Sequence, residues 1–501
     1  MRRTTSLTAI AAATLCASLA LPAGAAAPLA TPSKYGTAKN FQLVGHTDLG
    51  KRGVNSPIAV AGRCVYVGDR YDKHGIAIVD AKNPAKPKQV GTIAPTKGST
   101  QRELRADAGL GILVVMTYST NGIGDTAGNY LKVYSIANCL KPVLLSTVDF
   151  GARSPHEFFL WKDPKHAHRA LAYVTFTIYT PDLAVYDLTD PKTPSLAAVY
   201  DIGADSARPL NAFDSSGGYL HSLSISDDGT RAYMGTWDYG LYVADTSTLA
   251  AGSPGAVVPI GAPTASPNYL GNVHGGVKVP GKPYAVVVQE GYAGVFTPGV
   301  ATSGCPFGWL RMVDLSIEQA PRLTGGEFKL RENDCDTSKK LNGTFTSHNQ
   351  TVFPDVALVP WYGGGLRAVD ISDPKAPVEA GAFVPKADFE PDQRDNRLYF
   401  TNGNRWTGAM WSYPVVQNGL IYVVDIDLGL YILRYTGKWS NEVKQAAFVE
   451  GNSAPSNYGK LRAIAVHPAP VAPGPPTYIR DKYADAPLPK GLRRYGFFCV
   501  L

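Results

Sequence analysis

Sulfur is scarce in this chain: 501 residues carry six cysteines and five methionines. No two cysteines stand as Cys-X-X-Cys, which removes zinc ribbons, c-type haem attachment and dithiol redox work. Also missing are a Gly-X-Ser-X-Gly elbow, a His-Glu-X-X-His pair, a phosphate loop and a dinucleotide fingerprint. Ordinary hydrolase, kinase and dehydrogenase motifs are therefore absent. Charge is sparse too, with 48 Lys and Arg against 41 Asp and Glu, a net +7. There is no stripe of basic residues interleaved with aromatics, so nucleic acid is not an expected partner. No apolar run is long enough to span a bilayer, so no transmembrane segment is expected.

What is present is repetition. The phrases Gly75-Ile-Ala-Ile-Val-Asp-Ala-Lys-Asn-Pro, Asp182-Leu-Ala-Val-Tyr-Asp-Leu-Thr-Asp-Pro and Gly365-Leu-Arg-Ala-Val-Asp-Ile-Ser-Asp-Pro recur, with looser copies from Tyr130, Gly240, Trp309 and Gly429. That makes seven. Each alternates apolar and polar positions, the pattern of a half-buried strand. The Asp-Pro or Asn-Pro then stops the strand, because Pro offers no ladder donor and restricts the residue before it. A short strand follows each of the three clearest copies, and two apolar runs precede it, as Leu223-Ser-Ile-Ser and Ala232-Tyr-Met-Gly do around the turn Asp227-Asp228-Gly229. Four short antiparallel strands, seven times over, predict an all-β, seven-bladed propeller. The abundance of Gly (51) and Pro (38) suits such a turn-rich fold. The last unit lacks its own outer strand after Tyr435, and residues 41–44 are expected to complete it and close the ring.

These phrases resemble the repeats of the LVIVD-repeat β-propellers, a group of secreted or surface proteins. The closest matches are Leu366-Arg-Ala-Val-Asp-Ile-Ser-Asp-Pro and Ala77-Ile-Val-Asp-Ala-Lys-Asn-Pro, and the resemblance spans about residues 50–440. It implies the propeller fold and is nearly silent on activity. More distantly, a His-lined propeller is similar in architecture to the selenium-binding protein/methanethiol oxidase family and to carotenoid-cleaving oxygenases, which hold iron with four His. No contiguous sequence match to either accompanies that likeness.

The first 27 residues read as a secretory signal: Arg2 and Arg3, an apolar stretch over 7–21, and small residues at 23–27. The expected organisation is a signal peptide over 1–27, a propeller over 40–440, and an irregular Pro-rich tail over 441–501 packed on it. Export permits disulfides. Cys64 and Cys139 fall near one face of neighbouring blades, and Cys305 and Cys335 lie in long insertions. Those pairings are expected, against free buried thiols as the alternative, with Cys499 left over.

Histidine is also rare, nine in all, and four of the nine keep register. His156, His221, His274 and His348 each head the innermost strand of four consecutive units. The corresponding slots in the other three hold Asn55, Glu103 and Trp411. Inner strands begin at one rim of a propeller's channel, so four imidazoles should meet there. Imidazole is a borderline donor that suits Cu, Fe and Zn. The expected site is a mononuclear centre holding one of those ions, with metal–nitrogen distances of roughly 2.0–2.2 Å. Glu157 and Glu290 would orient the ligands, and Asp238 would do the same or act as a base. Trp237, Tyr239, Trp361 and Trp411 would wall an apolar pocket. Metal affinity should fall below about pH 6, where free imidazole protonates. Packing histidines, or a His-lined site without metal, are the alternatives. The function this predicts is an exported metal-dependent oxidase or oxygenase of a small organic substrate. A metal-dependent hydrolase and an extracellular binding scaffold without catalysis are the rivals, and the partner is accordingly a small molecule or an extracellular ligand. His166 and His168 fall in a charged turn and are expected to face solvent. Asn342 and Asn349 match glycosylation sequons.

Overall fold

A computed structural model describes residues 34–121, 124–176, 179–202, 219–237, 239–261, 272–291, 308–334, 345–393, 409–450 and 474–485. Seven antiparallel blades of four strands each form a β-propeller. Blade one, for example, runs Asn55–Ala61, Cys64–Asp69, Ile76–Asp80 and Lys88–Ile93 from the channel outward. The ring closes as the missing outer strand demanded. Phe41–Thr47 pairs with Gly429–Tyr435, setting Phe41 opposite Tyr435 and Thr47 opposite Leu430. The preceding segment, Gly36–Lys39, pairs with the outer strand of blade six. The N-terminal chain thus stitches two blades, which the sequence had not suggested.

The repeated Asp has a local cause. Its side chain accepts from the backbone N–H two residues on, as Asp80 does from Lys82, Asp187 from Thr189, Asp314 from Ser316 and Asp370 from Ser372, at 2.8–3.0 Å. The second acidic or amide residue of the phrase repeats the device, Asp190 to Lys192 and Asp373 to Lys375. Blades one, three and six therefore turn twice through side-chain-capped turns between their third and fourth strands. The Gly that opens a phrase answers to close approach. Gly365 has φ +74° and a Cβ there would lie 2.2 Å from the Phe383 carbonyl oxygen of the neighbouring strand.

Apolar residues of successive blades interlock face to face. Val114, Leu131 and Phe150 of blade two meet Phe158, Val174 and Ala184 of blade three, all essentially buried. Burying such a large apolar side chain contributes roughly 1.5–3 kcal/mol, and the pattern continues around the ring. Cys64 and Cys139 form a disulfide that joins blade one to blade two. Cys305, Cys335 and Cys499 lie outside the described residues, as does the segment 1–27. Beyond the last blade, a short helix, Ser440–Gln445, leads to Phe448–Val449, which pairs on the channel side of the innermost strand Val415–Gln417. Within the tail, Thr477–Arg480 adds a parallel fifth strand to the outer edge of blade two. Among the described residues no helix is long and apolar enough to cross a membrane.

Candidate metal centre

Each histidine is set by the start of its inner strand. The backbone N–H groups of His156, His221 and His348 donate to the Thr175, Gly235 and Pro360 carbonyls of the second strand of the same blade. His274 sits within Val273–Lys278, where the ladder register shifts between Val273 and Gly275. Bonds between blades fix their spacing. Thr175 Oγ1 donates to the His221 carbonyl and Ser222 Oγ to the His274 carbonyl. A Cβ on Gly235 would lie 2.6 Å from that same His274 oxygen, so glycine lets blades four and five close together.

The four rings come together at one mouth of the channel. Successive centroids from His156 through His221 and His274 to His348 are 4.2, 4.3 and 4.0 Å apart, and each residue is at most 3% exposed. His156 Nε2 and His221 Nε2 face one another at 2.9 Å. Glu157 and Glu290 enter the same space. Glu157 Oε1 lies 3.2 Å from His274 Nε2, Glu290 Oε1 3.3 Å from His348 Nε2, and Glu290 Oε2 3.7 Å from His221 Nε2. Three overlapping sets among these six residues place one donor atom each within 4.8 Å of the others, so this buried His/Glu cluster could hold a metal ion. His274 Nδ1 and Nε2, His348 Nε2 and Glu157 Oε2 are buried with no hydrogen-bond partner. Such atoms are costly unless something satisfies them.

The electrostatics put the groups in the ligating state. Burial holds the imidazoles of His156 and His221 well below their usual range, with the Arg102 guanidinium adding to the effect at His156. Burial pushes His348 down to about 4. For Glu157 burial alone would raise the carboxyl, but the imidazoles of His274, His221 and His348 outweigh it and bring it to about 2. Glu290 is held well below its usual range by the same contest, with His348 the largest attraction. Neutral imidazoles beside ionised carboxylates are what a cation requires.

Several contacts were not anticipated. The Tyr362 hydroxyl donates to Glu290 Oε1 at 2.5 Å, and Asn349 Nδ2 donates to Glu157 Oε1 at 3.3 Å. Asn349 is fully buried, so its sequon is not presented to solvent. Arg102 Nη2 reaches His156 Nε2 at 3.3 Å. The expected slot was Glu103, but a register shift between Gln101 and Glu103 changes which side chain faces this end. Asn55 instead accepts from Arg52 Nε and donates to the Ile426 carbonyl. The aromatic calls divide. Trp237 stacks on His221 at 4.7 Å, and Trp411 lies 4.6 Å from His348 while its carbonyl takes His348 Nδ1 at 2.8 Å. That bond makes Nδ1 the donor and turns the Nε2 lone pair of His348 inward. Trp361 is not a pocket wall: it packs in the core between blades five and six with Val288 and Leu310. Tyr239 packs against the core between blades three and four. Asp238 lies outside the described residues. His166 is exposed, bonded to Asp163, and His168 is exposed as well.

The model of the LVIVD repeat family matches residues 52–94 and 357–384. Those two stretches of the chain match the LVIVD repeat. The two matched stretches fall on blades one and six, while the remaining phrases build blades of the same kind. Among curated protein sequences none matches. Solved structures similar to the chain include Sqt1 from Chaetomium thermophilum, 14% identical, covering 78% of this chain and 98% of that one at a TM-score of 0.45. The Cps50 (Swd1) β-propeller domain of Myceliophteria thermophila is 10% identical, covering 79% and 99% at 0.45. The computationally designed Ika8 protein is 11% identical, covering 78% and 99% at 0.43. Likenesses this low carry nothing further about this chain.

Proposed function

We propose that the cluster is the mononuclear transition-metal centre of an exported enzyme that oxidises a small organic substrate with dioxygen. The observation that supports this most is the 2.9 Å separation of His156 and His221 Nε2. Two nitrogens about 2.05 Å from one ion stand about 2.9 Å apart at a right angle and about 3.3 Å apart at the tetrahedral angle. The carboxylate–imidazole distances of 3.2 to 3.8 Å point the same way. They exceed the roughly 2.7–2.9 Å of a charge-assisted hydrogen bond, as groups arranged around a common cation would. His156, His221, His274 and His348 are the ligands in this reading, and Cu, Fe or Zn suits their donor set.

A redox-active ion bound there supplies the one-electron chemistry that dioxygen needs. The chain's own residues do the rest. Glu290, held by Tyr362, and Glu157, held by Asn349, stand on the inward Nε2 side of the imidazoles, beside the ion, and take or return protons. Trp237 covers the His221 ring and Trp411 the His348 ring, and both keep water from those rings. Export accords with the Cys64–Cys139 disulfide, which an oxidising compartment preserves. Hydrolysis by a metal-activated water would use the same groups, and the ionised Glu157 favours it if the resident ion is Zn. Metal analysis of the mature protein, folded without added metal, is the deciding experiment. One Cu or Fe per chain supports the oxidase, and one Zn supports the hydrolase. Protein that stays metal-free and refuses all three ions removes the enzyme and leaves an extracellular binding scaffold.

A further inference from the structure

The far mouth of the channel holds a second feature, independent of the histidines. A cavity of about 630 Å³ opens there, between the hairpins that join the first two strands of blades one, two and three and the chain that follows blade seven. Its size is that of a small-molecule site. It is not a by-product of ring closure, because residues outside the repeats build part of it. Phe448–Val449 pairs along the inner edge of Val415–Gln417 and lines the cavity together with Glu450. Phe159, Trp161, Ile225 and Phe448 give it apolar walls.

Three cations line it, Lys162 and Lys165 toward the rim and Arg105 deeper in. The Arg105 side chain is 1% exposed. Its Nη2 donates to the Phe158 carbonyl and stands 3.2 Å from Glu103 Oε1, while Nε and Nη1 have no hydrogen-bond partner. Such a guanidinium is a costly thing to bury with two donor groups unused. The acids nearer the rim have partners of their own: Asp107 with Lys162, and Asp163 with Arg169 and His166. We propose that this cavity binds a small amphipathic monocarboxylate, its carboxylate on Arg105 and its apolar body against Phe159, Trp161 and Phe448. The two nearby carboxyls do not stand in for that ligand. Burial pushes Glu103 up to about 8 and Glu450 up to about 7, so in mildly acid solution both keep their protons. The charge of Arg105 is then left for an anion, to which a guanidinium offers paired donors.

The test is calorimetric titration of the full-length protein with benzoate, phenylacetate and octanoate, each beside its amide. At least one acid should bind one-to-one, with its amide weaker by about tenfold or more, the equivalent of about 1.4 kcal/mol. Arg105→Gln should abolish the preference for the acid. Ala167→Trp should block binding from an exposed position on the wall, and it keeps the test decisive where Arg105→Gln does not fold. His274→Ala should leave the affinity unchanged. No acid binding, an amide that binds as well as its acid, or a tight-binding Ala167→Trp variant overturns the proposal. Loss of binding in His274→Ala also overturns it, by placing the acid at the histidine mouth, and leaves the metal reading standing.

Discussion

Glu157, at the histidine mouth of the channel, and Glu103, on the neighbouring inner strand, are both fully buried, yet their acidities are driven apart. The imidazoles of His274, His221 and His348 outweigh burial at Glu157 and bring it to about 2. Glu103 has burial against it, only partly offset by Arg105, and rises to about 8. Burial by itself raises a carboxyl in either place, and the company it keeps decides the sign. One mouth is thus built from neutral donors around ionised carboxylates, as for a cation. The other is built from a guanidinium beside protonated carboxyls, as for an anion. Blades three to six supply the histidines of the first, and blades one, two, three and seven supply most of the second.

Breaking the histidine mouth should have the largest effect. His221→Ala or His274→Ala is expected to lower metal affinity by about 100-fold or more, beyond what loss of a supporting contact costs, with the circular dichroism spectrum unchanged. Mass-spectrometric metal analysis after dialysis reads the difference. Cutting the staple tests whether the mouths are separable. Cys64→Ala with Cys139→Ala opens a loop of 75 residues and should cost about 4 kcal/mol in denaturant titration on the chain-entropy scale, while metal content stays at the wild-type level. Tyr362→Phe removes the hydroxyl on Glu290 and should weaken metal binding by about tenfold, measured by chelator competition.

The acidities sharpen the contrast through pH. With His348 pushed down to about 4, protons displace a metal only as pH falls through that value, lower than the sixth pH unit expected for free imidazole. Metal retained at pH 5 and lost near pH 4 is the expected profile. Glu103 gives the smallest effect and the opposite sign. Its folded value of about 8 exceeds the usual 4.5, so the folded state holds a proton that the unfolded chain releases between them. Stability from this group therefore falls as pH rises from about 4.5 to about 8. Glu103→Gln should flatten that slope in urea titrations across the same range, and an unchanged slope would show that Glu103 is ionised in the fold.

Much of the architecture was legible because it repeats. Seven phrases, five of them closed by an Asp that caps its own turn, specify the blades through contacts two residues apart. The gap after Tyr435 pointed to the N-terminal strand by counting alone. The histidine register was legible for the same reason, since blade position maps sequence phase onto one rim. What failed to read were the neighbours that repetition does not constrain. Arg102 was missed because a one-residue shift in the ladder changes which side faces the site. Tyr362 was hidden behind Trp361, the adjacent residue that proved to be core.

The sequence by itself determined the number of blades, the closure of the ring and which four histidines share a rim. These follow from local turn chemistry and from the two-residue period of a strand, both carried within each repeat. Only the tertiary structure decided that Tyr362 and Asn349 hold Glu290 and Glu157, that Phe448–Val449 enters the opposite mouth, and that Glu103 and Glu157 titrate in opposite directions. Those facts depend on distances between blades and on burial, and no single repeat contains either.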